Sequence, residues 1–217
     1  MAGIHLHQIS QPGQHAPGVG FEQPFEMLDA CHERVERMLG LLGKIREHVK
    51  QSGADPQARD AARDVMRYFD QAGPHHHEDE ERHVFPPLLA QRDPAVVAVV
   101  IQLKQDHREM EAQWARVRVA LMALVKAGEG WPGFSADDQQ CFDTYDALYR
   151  RHLLDENGVV YPAARSVIRG AALEAMGAEM MGRRGVFDGV HLPPFRLLQE
   201  SRALHETRSR PDSQGPS

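Results

Sequence analysis

The chain has 217 residues, 41% hydrophobic and 26% charged, with a formal net charge of -6. That is enough for one globular domain with extensions, and no stretch approaches the ~18 uninterrupted apolar residues of a membrane span. The acidic balance argues against nucleic acid as a partner, and 18 Gly with 14 Pro exclude a collagen-like or low-complexity chain.

Residues 1–22, rich in Gly, Pro, Gln and His, read as a flexible arm. The opening MAGIHLHQIS has no basic region followed by an apolar run, so no secretory signal is expected there. A first helix is predicted from about Pro24 to Lys50, stopped by Gln51-Ser52-Gly53. A second opens with Asp55 as N-cap and Pro56 at its first position, and runs to about Gln91. Gly73-Pro74 is expected to kink or briefly break it. A third repeats the device with Asp93-Pro94 and ends near Lys126. A fourth starts at Ser135, with Asp138 three residues on as a capping box, and reaches about Ile168 despite Asn157-Gly158 and Pro162. No β-alternation interrupts these segments. The expected class is all-α: an up-down-up-down four-helix bundle over residues 23–170. Residues 171–217 follow as a short helical extension and a largely irregular tail.

The inward stripes carry the functional signal. In the third helix Val96, Val100, Leu103, Met110, Trp114, Val117, Leu121 and Leu124 recur at spacings of three and four, and His107 fills the slot after Leu103. In the first, His32 fills the slot between Leu28 and Val35; in the fourth, His152 follows Leu148 on a stripe that continues through Val159 and Ala163. In the second, Ala62, Val65, Phe69 and Ala72 lead to His76. One such histidine is an ordinary core side chain; one on each of four helices is a pattern.

Two carboxylates join them. Glu80 follows His76 by four residues and Glu156 follows His152 by four, which puts each pair on one helix face. An ionised carboxylate inside a bundle is costly unless a cation compensates it. Counting back from each turn and forward into the next helix brings the four histidines within two residues of a common level, about 3 Å at the helical rise. Four His and two Glu are too many for one tetrahedral ion and suit two metals bridged by the carboxylates.

The segments HHEDEERHVFP (His76 to Pro86) and HLLDENGVVYP (His152 to Pro162) share the template H-x-x-x-E, five residues, then Pro. This duplicated motif, with one isolated His on each other helix, resembles the hemerythrin-like (HHE cation-binding) family over roughly residues 24–168. The resemblance implies a non-haem di-iron site in which His32, His76, His107 and His152 are terminal ligands and Glu80 and Glu156 bridge. Glu111 stands where oxygen carriers of the family have a second histidine, as a ligand or a solvated residue. His77 with Glu81, one position along, offers an alternative register; His75 and His83 face elsewhere. Zinc or manganese would also suit these donors.

Cys31 and Cys141 give no disulfide framework, read as packed thiols and fit a reducing cytoplasm. The function so implied is a cytoplasmic di-iron protein that binds or senses dioxygen, nitric oxide or a related small oxidant. Two alternatives stay open: an oxidoreductase acting on peroxide or nitric oxide, and a bundle loaded with zinc or another metal for storage or structure. Membrane and nucleic-acid partners are not expected, and the oligomeric state is open.

Overall fold

The computed structural model describes residues 20–187 and 190–191. The expected N-terminal arm before residue 20 and the tail beyond 191 lie outside the described residues. The order is α1 (Pro24–Ser52), α2 (Pro56–Asp79), a π turn (Glu80–Val84), α3 (Phe85–Gln91), α4 (Pro94–Lys126), α5 (Ala136–Asp155), a second π turn (Glu156–Val160), α6 (Tyr161–Val167) and α7 (Ala171–Arg183). A two-residue antiparallel ladder, Val186–Phe187 with Val190–His191, follows. Among the described residues, no helix is long and apolar enough to cross a membrane.

Local chemistry sets the helix starts. The Asp55 carboxylate accepts from the Ala58 N–H, and Asp93 from Ala95 and Val96, each with Pro at the first helical position. Ser135 and Asp138 form a reciprocal capping box.

The helix breaks differ from expectation. Helix α2 runs through Gly73-Pro74 without interruption, and α geometry is lost instead at Glu80 and again at Glu156. Phe85 N–H bonds to the Glu80 carbonyl and Tyr161 N–H to the Glu156 carbonyl, five residues back in each case. Each wide turn is followed by a proline, Pro86 or Pro162, whose missing N–H and bulky ring oppose a regular α turn. The extra residue rotates the helix beyond it: Val160 and Ala164 are buried, while Val159 and Ala163, on the expected stripe, are half-buried.

Helix α1 packs on α2, α2 on α4, and α4 on α5, and α5 also touches α1. His48 meets Asp55 at one end of the α1–α2 contact, and His32 meets His76 towards the other. Arg46 reaches Gln139 and Asp143, while His32 reaches Asn157. The core is two apolar clusters. One includes Leu42, Ile45, Phe69, Leu121 and Phe142; the other includes Leu28, Phe85, Leu103, Val160 and Met176. In each long helix the motif histidine falls between residues of the two clusters: His32 between Leu28 and Val35, His107 between Leu103 and Met110.

Helix α7 closes over the second cluster with Met176 and Met180 buried. Gly177 permits this approach, since a Cβ there would lie 2.0 Å from the Phe21 carbonyl oxygen.

Candidate metal centre

Between the two clusters lie His32, His76, Glu80, His107, His152 and Glu156, all buried, both glutamates at 0% exposure. Their donor atoms crowd together. His32 Nε2 is 3.0 Å from His76 Nε2 and 3.1 Å from Glu156 Oε2; His76 Nε2 is 3.5 Å from Glu80 Oε1. His107 Nε2 is 3.5 Å from Glu80 Oε2, and His152 Nε2 is 2.9 Å from Glu156 Oε1. Ligands about 2.1 Å from one cation, at right angles, stand about 3 Å apart, so this spacing fits a shared coordination shell.

Two sets of four donors emerge, His32-His76-Glu80-Glu156 and Glu80-His107-His152-Glu156, and both glutamates belong to each. His107 Nε2, His152 Nε2, Glu80 Oε2 and both Glu156 oxygens have no hydrogen-bond partner although buried. Orphaned buried donors and acceptors are rare and costly, and a cation satisfies them together. The donor set therefore fits a bound metal.

Two of the four outer ring nitrogens, those of His32 and His107, are engaged in the way metal-binding histidines need, while Nδ1 of His76 and of His152 has no hydrogen-bond partner among the described residues. His32 Nδ1 bonds to Asn157 Oδ1 at 2.9 Å, and His107 Nδ1 to Glu81 Oε1 at 2.9 Å. His152 Nδ1 lies 3.6 Å from Asp106, a fully buried carboxylate also bonded by Gln102 and Arg151. The fully buried Tyr161 donates its hydroxyl to Glu80 Oε1 at 2.5 Å, 2.9 Å from His32 Nε2, with its ring stacked on His32.

Charge is divided unevenly within the cluster. Burial and the adjacent Glu156 push the Glu80 carboxyl up to about 7. Burial works the same way on Glu156, but His152 and His32 outweigh it and hold that carboxyl well below its usual range. Burial lowers His152, yet Glu156 and Asp106 carry it up to about 10. Burial and neighbouring imidazoles keep His76 and His77 neutral, the form a metal requires.

The secondary candidates separate. His77 faces away from His76, as read from the sequence, but lands beside His107 and His152, stacked on His107 at 4.0 Å between ring centroids. Glu81 is 40% exposed on its side chain and holds His107 from outside the cluster. Glu111 is exposed and lies outside the donor sets, on the wall of a groove between α2 and α4. His83 stands 3.3 Å from Glu179 of α7. Cys31 and Cys141 are free thiols. Sequence reasoning missed Asn157, Asp106 and Tyr161, which follow no apolar period; Asp79 was missed too, a fully buried carboxylate clamped by Arg183 and Arg184.

Comparison with known proteins agrees with this geometry. The family model described as the hemerythrin HHE cation binding domain matches residues 23–164. An "Uncharacterized protein" of Haemophilus influenzae (strain ATCC 51907 / DSM 11121 / KW20 / Rd) is 27% identical over 179 residues, covering 82% of this chain and 98% of that one. With the match spanning well over half of the chain, and the duplicated His–Glu motif converging on one buried cluster, the chain belongs to the hemerythrin HHE cation-binding family.

Proposed function

We propose that the protein holds two non-haem irons on an up-down-up-down four-helix frame spanning residues 23–170, in the cytoplasm, and there binds or senses dioxygen, nitric oxide or a related small oxidant. The observation that carries this reading is the sharing of Glu80 and Glu156 by two otherwise separate pairs of histidines. His32 and His76 would hold one cation and His107 and His152 the other, with Glu80 and Glu156 available to both. When bound, iron supplies a redox-active position open to a small exogenous ligand. The chain's residues do the rest: Asn157 and Glu81 fix the His32 and His107 orientations, and the Tyr161 hydroxyl holds Glu80.

Anaerobic reconstitution with ferrous iron, followed by air or nitric oxide, tests it. The expected result is uptake of about two equivalents and a reversible charge-transfer band. Catalytic loss of oxidant would make the protein an oxidoreductase. Zinc uptake without iron uptake would make it a storage or structural bundle and overturn the proposal.

A further inference from the structure

We propose that Tyr161 is itself an iron ligand: its phenolic oxygen binds a ferric ion in the His32–His76 half of the cluster, and the other half has no counterpart. This rests on the metal reading and deepens it, since it makes the two cation positions unequal.

The duplicated motif supplies the comparison. Phe85 and Tyr161 occupy the same place in its two copies, each directly after a π turn and each followed by proline. Both rings are buried, and both lie against a motif histidine. Phe85 stacks on His107 at 5.6 Å between centroids and 24°, Tyr161 on His32 at 4.9 Å and 14°. At this place the copies therefore differ by one oxygen atom. Packing does not call for it, because Phe85 fills its own place without one, and burying a hydroxyl is costly unless something engages it.

That oxygen stands among the donor atoms. It is 2.5 Å from Glu80 Oε1 and 2.9 Å from His32 Nε2. His32 Nε2 has two further neighbours, His76 Nε2 at 3.0 Å and Glu156 Oε2 at 3.1 Å. An imidazole nitrogen carries one proton or one lone pair, so it cannot hydrogen-bond with all three at once. Ligand atoms about 2.1 Å from one cation, at right angles, stand about 3 Å apart. The Tyr161 oxygen keeps that spacing from His32, as the His76 nitrogen and the Glu156 oxygen do. Against His107 the corresponding ring, Phe85, presents only carbon.

Tyrosine oxygen is an iron ligand in haem enzymes, and as an anion it favours the more highly charged ferric ion. On binding, the phenol O–H bond breaks as the bond to iron forms, and the proton is released to solvent, as for other ligands that bind deprotonated. While the iron is ferrous the hydroxyl keeps its proton and its bond to Glu80.

The full-length protein is loaded anaerobically with ferrous iron, and stoichiometric ferricyanide then takes one electron from each ion. Resonance Raman excitation in the visible charge-transfer band should show tyrosine ring modes. Tyr161→Phe should lose those modes while metal analysis still finds iron. Placing 3-fluorotyrosine at position 161 alone preserves the shape of the ring and should shift the same modes, which decides the assignment even if Tyr161→Phe does not fold. Ring modes that are absent from the iron-loaded native protein, survive in Tyr161→Phe or stay unmoved by the fluorine overturn the proposal. No iron uptake sinks the metal reading and this one with it; iron bound without tyrosine modes sinks only this one.

Discussion

Two of the four motif histidines are held at the outer nitrogen by a side chain from a π turn, His32 by Asn157 and His107 by Glu81, while Asp106 stands 3.6 Å from the outer nitrogen of His152. On the proposed di-iron reading, replacing His76 or Glu156 with Ala should lower bound iron to about one equivalent or less, while His83→Ala leaves it unchanged, as read by metal analysis. Asp106 makes a separate prediction. Burial alone would raise its carboxyl, but the nearby His152 and hydrogen bonds from Gln102 and Arg151 outweigh that and hold it at about 2. This lies below the unfolded value of about 3.9, so its contribution is complete above that pH and is lost as pH falls towards 2. Thermal unfolding of Asp106→Asn should show a deficit on the order of 1–2 kcal/mol at pH 5, after discounting the exposed Arg151, that is about halved at pH 3 and closes near pH 2. The histidines were legible in the sequence because each occupies an empty slot in an apolar stripe. Asn157, Asp106 and Tyr161 were not, because their partners are distant in the chain and no period marks them.

At the level of elements, the ends of helices were written plainly and the interiors were not. Asp55-Pro56, Asp93-Pro94 and the Ser135–Asp138 box start helices where the residue types require it. The π turns at Glu80 and Glu156 were hidden, although the repeated H-x-x-x-E…Pro template contains both: the helices were read straight on past Pro86 and Pro162, because no residue type marks a one-residue insertion. Inserting one residue, each turn moved the buried positions along by one, which is why Val160 and Ala164 replace Val159 and Ala163 in the core. The other element unreadable in function was α7. Its end supplies Arg183 and Arg184 to Asp79, whose oxygens are 2.6 Å from each guanidinium and fully buried. Removing both arginines strands a charge beside Glu80. The Arg183→Ala/Arg184→Ala protein should lose about 3–5 kcal/mol in urea unfolding, and adding Asp79→Asn should restore part of it.

The whole molecule has a polar stratum between two apolar clusters. A cation that binds only the folded chain stabilises it by mass action, about 2.7 kcal/mol at a free concentration one hundred times its Kd. Ferrous iron added anaerobically should therefore raise Tm in proportion to the logarithm of its concentration, and His152→Ala should abolish the effect. The division of the core has a further result. Leu28, Leu103 and Val160 lie on one side of the stratum, Val35, Met110 and Leu148 on the other, so at that level the halves meet through the polar cluster and the Tyr161 and His77 rings stacked on it. Deprived of metal, the end carrying α3, α6 and α7 should open on its own, seen as amide exchange there that outpaces exchange in the Leu42–Phe142 end; loaded, both should exchange together. The ion would then act as a rivet between two half-cores, and the cooperativity of unfolding would report the cell's iron supply.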